Sequence, residues 1–361
     1  MNKLHKVQLT AVTVVAAFAI VTIATSAQTK GRGADKAWLV KERTLPVPLA
    51  ASDALRKVLL NAPAPDVAAI RQNVPKTEAE WIELIAARNA DLAKDAEKFA
   101  KQVSVAVKRE EIEGVLVRYV VPASVALEHQ NHLFIHLHGG AYVLNSGDAS
   151  VFEAILIASR AKIPVLSIDY RMPPKHPFPA AVNDVVKVYK HLLKKRPAKS
   201  MAMGGTSAGG GLALASTHKF IELGLDVPAA LFAGTPWADL TKTGDSHFTN
   251  EGIDHALVTY DGLLAGAAKL YAGDHDMKNP LISPVYGDFE GFPPTYLVTG
   301  TRDLFLSDVA RTHRKLRTAG VVADLNVYEG VSHGEYAFII DSPESQQAYG
   351  ELGAFLSKHL K

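Results

Sequence analysis

From residue 115 onward, short apolar runs alternate with longer segments whose apolar residues recur at helical spacing. The runs that fit buried strands are 115–121, 133–137, 164–169, 201–204, 229–233, 295–299 and 323–328. The segments that fit helices are 152–161, 180–195, 209–223, 308–319 and 344–359. Strands that alternate with helices are typical of a parallel sheet covered by helices. We therefore predict an α/β fold with a mostly parallel central sheet flanked by helices.

The composition indicates a globular protein with a sizeable core. The 361 residues are 48% hydrophobic and 21% charged, which fits neither a disordered chain nor a multi-span membrane protein. The formal net charge is only +2, and nucleic-acid-binding proteins carry a basic surplus, so nucleic acid is not an expected partner. The chain has no cysteine, which excludes disulfides and thiol catalysis.

The N-terminus has the order of a signal peptide. Lys3 and Lys6 precede an apolar run at 9–23, and small residues follow at 24–27. We expect cleavage after Ala27 and a secreted or periplasmic protein with no stable membrane partner after cleavage. The alternative is an uncleaved membrane anchor, because no charged residue lies between Lys6 and Lys30 and that interval could span a bilayer.

The segment 28–108 differs in composition from the rest of the chain. It is rich in alanine, charged residues and proline, and apolar residues recur at helical spacing over 78–101. We expect it to be mostly helical and to contribute to a small cap over the site. The predicted division is a signal peptide at 1–27, an N-terminal helical or cap segment at 28–108 and an α/β domain at 109–361.

The pentapeptide GTSAG at 205–209 follows an apolar run and precedes a helix-forming segment. A serine on a tight strand-to-helix turn needs small residues two positions before and after it, and Gly205 and Gly209 fill those positions. The helix after Ser207 would direct backbone N–H groups and its positive dipole end at the site. Ser207 is therefore the candidate nucleophile. A phosphate-binding turn is the alternative, but neither G-x-G-x-x-G nor a phosphate-loop lysine occurs at 204–211.

The sequence HGG at 138–140 follows the predicted strand 133–137. Consecutive glycines let backbone N–H groups face a carbonyl oxygen, so Gly139, Gly140 and the N–H of Ala208 are the candidate oxyanion hole. His138 is expected to shape this loop rather than to transfer protons. His136 and His138 form an H-x-H pattern, but no third ligand stands at a known spacing, so no metal is expected.

A base and an acid follow the serine in the order Ser, acid, His. Asp303 follows the predicted strand 295–299, and His333 follows the strand 323–328 on a glycine-flanked loop. The imidazole would take the serine proton, and the carboxylate would fix its tautomer and stabilise the imidazolium. Asp308 is the alternative acid, although we expect it to cap the next helix instead.

The segment 169–181 is interrupted by prolines, which forbid regular structure. We predict an irregular loop in which Arg171 and Asp169 pair with each other. Such a loop either buttresses the oxyanion and nucleophile loops or is simply rigid, and no catalytic role is assigned to it.

Seven sequence blocks, which include the motifs above, follow one another in a specific order and spacing. They are HLHGGAYV at 136, DYRMPPKHPFPAAVND at 169, GGTSAGG at 204, TPWADL at 235, NPLISPVYGDFEGFPP at 279, GTRDLFLSD at 300 and YEGVSHGE at 328. From about residue 113 the chain resembles the hormone-sensitive-lipase-like bacterial esterases of the α/β-hydrolase superfamily. The resemblance implies an α/β-hydrolase fold with a helical cap, cofactor-free ester hydrolysis, and triad roles for Ser207, Asp303 and His333. Ala141 replaces the family's usual third glycine, which predicts a smaller substrate space near Tyr142.

We therefore predict a serine hydrolase that cleaves carboxylic esters of short to medium acyl chains through an acyl-enzyme, without a cofactor. An acyltransferase, amidase or peptidase uses the same triad and remains an alternative. A non-catalytic ligand-binding protein on this fold is the alternative from a different class, although all three triad residues are present. The expected partner is a small-molecule ester. A second copy of the chain, in a homodimer, is the other partner that we consider.

Overall fold

The computed structural model describes Val40 and residues 42–361. The predicted signal peptide at 1–27 lies outside the described residues. The chain forms two compact units, Met1–Leu45 and Pro46–Lys361. Residues 42–45 of the first unit contain no helix or strand, and every element named below belongs to the second unit.

One eight-stranded sheet forms the centre of the second unit, with strand order β1-β2-β4-β3-β5-β6-β7-β8. The strands are β1 (Ala106–Ile112), β2 (Val115–Val121), β3 (Leu133–Leu137), β4 (Val165–Ile168), β5 (Met201–Thr206), β6 (Ala230–Gly234), β7 (Thr295–Gly300) and β8 (Ala323–Tyr328). Strand β2 pairs antiparallel with β1 and β4, and the other neighbours pair in parallel. The carboxyl ends of the parallel strands therefore meet at one edge, where sites of such sheets form.

Helices cover the sheet and extend from its ends. They are α1 (Asp53–Asn61), α2 (Val67–Gln72), α3 (Glu78–Gln102), α4 (Phe152–Ala161), α5 (Ala180–Leu193), α6 (Ala208–Glu222), α7 (Ser246–Thr249), α8 (Leu263–Ala272), α9 (Leu306–Thr318), α10 (Glu335–Phe338) and α11 (Pro343–His359). Among the described residues, none of these helices is long and apolar enough to cross a membrane.

Two hydrophobic cores lie on the opposite faces of the sheet. Successive strand residues point to opposite faces, and accordingly Phe134 and Ala202 belong to one core, whereas Ile135 and Met203 belong to the other. All four of these side chains are fully buried. A sheet buried on both faces explains why its parallel strands are continuous apolar runs rather than alternating ones.

The α/β-hydrolase fold predicted from the sequence is confirmed, and its predicted elements match the observed ones within a few residues. The sequence analysis did not identify β1 or α8. Strand β1 is mostly exposed and charged, and it is held by antiparallel pairing with β2, from Ala106 opposite Val121 to Ile112 opposite Val115. Its strand conformation depends on that neighbour, because edge strands have weak local signals.

The N-terminal helices pack onto the same unit as the sheet. A capping box formed by Thr77 and Glu80 begins α3, as a Thr with Glu three residues later predicts. The apolar stripe of α3 buries Trp81 and Phe99, which join the two different cores. A side chain at Gly266 of α8 would approach the Trp81 ring to 2.9 Å, so α3 and α8 are in close contact.

Candidate active site

Ser207 lies on the turn between β5 and α6, where its backbone has φ of 63° and ψ of −124°. A positive φ at a non-glycine residue costs about 1–3 kcal/mol and persists only where the surroundings enforce it. The Ser207 N–H donates to the Gly234 carbonyl oxygen at 2.8 Å, and the N–H of Trp237 donates to the Ser207 carbonyl oxygen at 3.0 Å, which fixes this conformation. A Cβ at Gly205 or Gly209 would overlap the carbonyl oxygen of Leu137 at the end of β3. The two glycines therefore let the serine turn pack directly on β3, as the motif predicts.

Asp303 and His333 lie side by side at the same edge of the sheet. Their loops follow β7 and β8, and the His333 Nδ1 atom lies 3.1 Å from Asp303 Oδ1. Asp303 is fully buried and His333 is 6% exposed. The next loop residues reach the serine turn, because the Tyr336 hydroxyl lies 2.9 Å from Thr206 Oγ1, one residue before Ser207. The structure thus brings the predicted acid, base and nucleophile to one edge.

Two threonines that the sequence analysis did not identify complete the hydrogen bonding of Asp303. Thr235 donates its hydroxyl to Asp303 Oδ2 and lies 3.0 Å from His333 Nδ1, and Thr299 donates to Asp303 Oδ2 at 2.7 Å. Burial opposes ionisation of Asp303, but the charge of His333 and hydrogen bonds from His333, Thr235 and the Phe305 N–H outweigh it and lower the pKa of Asp303. Because His333 Nδ1 faces the Asp303 carboxylate, which can only accept, Nδ1 carries the proton and Nε2 is left as the basic nitrogen.

Within the described residues Asp308 makes no hydrogen bond or ion pair with His333, and it is not the helix cap expected from the sequence. Helix α9 is capped by Phe305, and Asp308 stands within its first turn. The Asp308 carboxylate is fully buried and accepts a hydrogen bond from the backbone N–H of Asp239 at 3.0 Å. Burial, assisted by the nearby charge of Asp239, raises the pKa of Asp308 well above its usual range. The imidazole nearest to this carboxyl among the ion pairs of the described residues is that of His247, whose Nε2 lies 3.9 Å from Asp308 Oδ1, and not that of His333.

The candidate oxyanion donors lie beside the serine turn. Within residues 42–361, the N–H groups of Gly139 and Gly140 donate no hydrogen bond. A Cβ at Gly139 would lie 3.4 Å from Ser207 Cβ, which shows how closely this loop approaches the nucleophile. Ala208 is the first residue of α6, and the first N–H groups of a helix have no partner within it. These three N–H groups can therefore donate hydrogen bonds to a substrate oxygen near the N-terminus of α6.

His138 shapes the loop that carries these glycines. Its ring stacks on Tyr170 with centroids 4.1 Å apart, and its Nδ1 lies 2.8 Å from the carbonyl oxygen of Gly139. Burial lowers the pKa of His138 to about 4, so the ring is neutral near pH 7. Tyr142 is fully buried and stacks on Tyr271 at 3.9 Å, so its ring belongs to the core.

A buried network below the serine explains the H-x-H pattern. His136 lies 2.9 Å from Ser167 Oγ and 3.2 Å from Glu153 Oε2. Glu153 also accepts hydrogen bonds from the N–H of Thr206 at 3.0 Å and from the Tyr349 hydroxyl at 2.8 Å. Glu153, on α4, thus supports the residue before the nucleophile, and nothing in the sequence around it pointed to this contact.

The predicted loop at 169–181 is irregular up to residue 179, and α5 begins at the next residue. The internal ion pair predicted for this loop is wrong. Arg171 pairs with Asp184 of α5, with Nη2 to Oδ1 at 2.7 Å. Asp169 instead pairs with Arg118 of β2 at 2.9 Å. Tertiary packing brings partners from neighbouring elements to both residues, which spacing along the loop could not reveal.

A parallel sheet with a strained serine turn, a buried Asp–His pair and free backbone donors at one edge defines an α/β hydrolase. A family model described as the alpha/beta hydrolase fold matches residues 134–337. The acetyl-hydrolase of Streptomyces hygroscopicus is 34% identical over 223 residues, which are 62% of this chain and 74% of that protein.

Solved structures show the same likeness over most of the chain. The crystal structure of esterase E25 is 53% identical with a TM-score of 0.88, and the match covers 91% of this chain and 100% of that one. An esterase from the bacterial hormone-sensitive lipase family is 29% identical with a TM-score of 0.67, covering 80% and 100%. The chain belongs to the α/β hydrolases, among the bacterial esterases related to hormone-sensitive lipase. The predicted class, a carboxylic ester hydrolase, is confirmed at this level.

Proposed function

We propose that this protein hydrolyses carboxylic esters with Ser207 as nucleophile, His333 as base and Asp303 as the orienting carboxylate. The observation that carries the proposal is the 3.1 Å contact between His333 Nδ1 and buried Asp303, at the sheet edge that holds the strained Ser207 turn. Such an arrangement leaves Nε2 free to take a proton from a serine hydroxyl.

The proposed reaction has two steps. Ser207 Oγ attacks the ester carbonyl while His333 takes its proton, and the N–H groups of Gly139, Gly140 and Ala208 bind the resulting oxyanion. Collapse of the intermediate leaves an acyl group on Ser207, and the proton passes from His333 to the departing alcohol. Water, activated by the same imidazole, then releases the carboxylic acid.

We propose short to medium acyl esters as the substrates. A cleft of about 510 Å³ borders His333, and its apolar lining includes Val58, Phe338, Ile339 and Ile340. This volume lies within the range of roughly 300–1,000 Å³ typical of small-molecule sites. The name of the Streptomyces hygroscopicus relative, an acetyl-hydrolase, also supports a short acyl group.

The N-terminal helices supply part of the proposed cap. Arg71 of α2 reaches Glu251 at 2.9 Å and Asp261 at 3.3 Å, in the region between β6 and α8. Together with the contact between Trp81 and Gly266, these ion pairs join the N-terminal segment to that region. We therefore propose that the two regions form one composite cap, although exposed ion pairs add little stability themselves.

Ser207→Ala tests the nucleophile. We expect kcat to fall about a million-fold, because triad members act as a unit, while the fold is retained. A fluorophosphonate should label the wild type at Ser207, as peptide mass mapping will show, and should not label the variant. Ser216→Ala is the matched control, since it removes a buried hydroxyl from α6 that has no partner among the described residues. Full turnover by Ser207→Ala would falsify the proposal.

A further inference from the structure

Residues 246–258, here termed the clamp segment, lie against both loops that carry the proposed acid and base. Asn250 Nδ2 donates to the carbonyl oxygen of Asp303 at 2.8 Å. The N–H of His255 donates to Ser332 Oγ at 3.3 Å, next to His333 in the chain. One segment therefore contacts two loops that come from different strands.

Asp254 makes the central contacts of the clamp segment. Its Oδ1 accepts the N–H groups of Ala256 at 2.9 Å and Leu257 at 3.0 Å, which forms a local turn. Its Oδ2 accepts the N–H of Leu304 at 2.8 Å and the N–H of His333 at 3.3 Å. A carboxylate that only stabilised its own turn would need the first pair alone, so the second pair indicates a further role.

The charge of Asp254 also lies close to the reacting pair. Asp254 is fully buried, and burial with the neighbouring Asp303 charge raises its pKa to about 6, while His333 and backbone donors oppose the rise. The other titratable groups around it are His255 and Glu335, which pair at 2.9 Å, and Arg302 near His255. Above that pKa, Asp254 places a second negative charge beside the imidazolium that forms when His333 takes a proton.

We infer that the clamp segment positions the proposed acid and base, with Asp254 as the positioning residue that joins the Asp303 and His333 loops at one carboxylate oxygen. This inference rests on the proposed function of Asp303 and His333. Asp254 has no exposed surface and so does not touch substrate. Its effect should therefore fall on kcat and on the pH dependence, not on KM.

Asp254→Asn tests the inference, because it removes the charge and turns one acceptor oxygen into a donor. We expect kcat to fall about tenfold to a hundredfold through misplacement of the acid–base pair, with KM within about twofold. The acid limb of kcat/KM should move to lower pH, since the imidazolium loses one of its two carboxylate neighbours. Titration with a fluorophosphonate will correct each rate for the fraction of competent sites.

Asp184→Asn is the matched control. Asp184 is also a fully buried aspartate with several hydrogen bonds, but it pairs with Arg171 rather than with either catalytic loop. Whatever its effect on stability, this variant should keep the wild-type midpoint of the acid limb. A midpoint that moves equally in both variants would show a general consequence of lost buried charge and would overturn the inference.

Other outcomes separate the inference from the proposed function. If the wild type is labelled at Ser207 but Asp254→Asn keeps the wild-type kcat and midpoint, the positioning role is wrong and the triad stands. The same conclusion follows if the kcat of Asp254→Asn falls only in proportion to the fraction of labelled sites and the midpoint of the acid limb is unchanged. If the wild type is not labelled at Ser207, the proposed function itself fails.

Asn250→Ala provides a second test if Asp254→Asn does not fold. It removes the Nδ2 contact to the Asp303 carbonyl from a partly exposed position and leaves the buried carboxylates intact. The clamp predicts a lower kcat with unchanged KM in this variant. A wild-type kcat for Asn250→Ala, together with an unfolded Asp254→Asn, overturns the positioning role and leaves Asp254 a residue of stability alone.

Discussion

On the nucleophile side of the site, backbone fits against backbone: Gly205 and Gly209 both approach the carbonyl oxygen of Leu137. On the acid–base side, side chains do the positioning, because Asp303 is held by hydroxyl donors from Thr235 and Thr299. The first arrangement depends on atoms that cannot move without moving a strand. The second arrangement depends on hydrogen bonds and charges, whose strength varies gradually with geometry and with pH.

This difference predicts how each side responds to substitution. A bulkier residue on the nucleophile side should disturb the fold itself, because close-packed backbone has no room to relax. A substitution of a side chain that holds Asp303 or His333 should change activity or pH dependence and leave the fold in place.

Gly205→Ala should prevent stable folding. Its added methyl would overlap the Leu137 carbonyl oxygen, so either β3 or β5 must shift, and we expect a loss above about 4 kcal/mol. Soluble yield and circular dichroism will check this outcome. Gly350→Ala is the control, because a Cβ at that helical position meets no atom within 4 Å. A folded, active Gly205→Ala protein would show that the nucleophile side is not limited by backbone fit.

Asp303→Asn should lower kcat by about 10³-fold to 10⁴-fold, because the amide disfavours the tautomer with a basic Nε2. Asp308→Asn should have a mild effect, since Asp308 makes no contact with His333 among the hydrogen bonds and ion pairs of the described residues. Steady-state kinetics on a short-chain ester, with both variants confirmed as folded, will compare them. The assignment of the acid is reversed if Asp308→Asn proves the more damaging change.

Asp308→Asn should also change the pH dependence of stability. The pKa of Asp308 is raised in the folded state, so the folded protein binds more protons than the unfolded chain above pH 3.8, and this group lowers stability as pH rises. Removing it should favour the variant over wild type increasingly from pH 5 to pH 8, by up to about 1.4 kcal/mol per pH unit. Urea unfolding at both pH values measures the difference. A difference that is the same at both values would contradict the raised pKa.

Ala141→Gly should give the smallest effect, a gain of up to about 1 kcal/mol. Ala141 has φ of 53°, which glycine adopts without strain, although glycine also increases the entropy of the unfolded chain. Thermal unfolding will measure the change. Ala154→Gly within α4 is the control and should lose about 1 kcal/mol, because glycine is unfavourable inside a helix. A loss at both positions would show that the Ala141 conformation carries no strain.

The two sides also differ in how well the sequence predicted them. The geometry of the GTSAG turn and of the HGG loop depends on a few adjacent residues. Ser207 could therefore be placed on a turn, and Gly139 and Gly140 on a loop, from local pattern alone. From the sequence, Asp303 was preferred to Asp308 as the acid because Asp308 was expected to cap the next helix, but the residue at the cap is Phe305. The contact between Asp303 and His333 spans 30 residues and is formed by the packing of neighbouring strands.

The strand and helix pattern, the position of the Ser207 turn and the chain order of Ser207, Asp303 and His333 could be read from local sequence. These features depend on periodicity and on short motifs whose partners lie nearby in the chain. Only the packing of the folded chain reveals the contacts of Thr235, Glu153 and Asp254 and the partners of Arg171 and Asp169. Each of those contacts joins side chains or backbone groups from different elements, and a buried polar group takes whichever partner the packing brings within hydrogen-bonding distance.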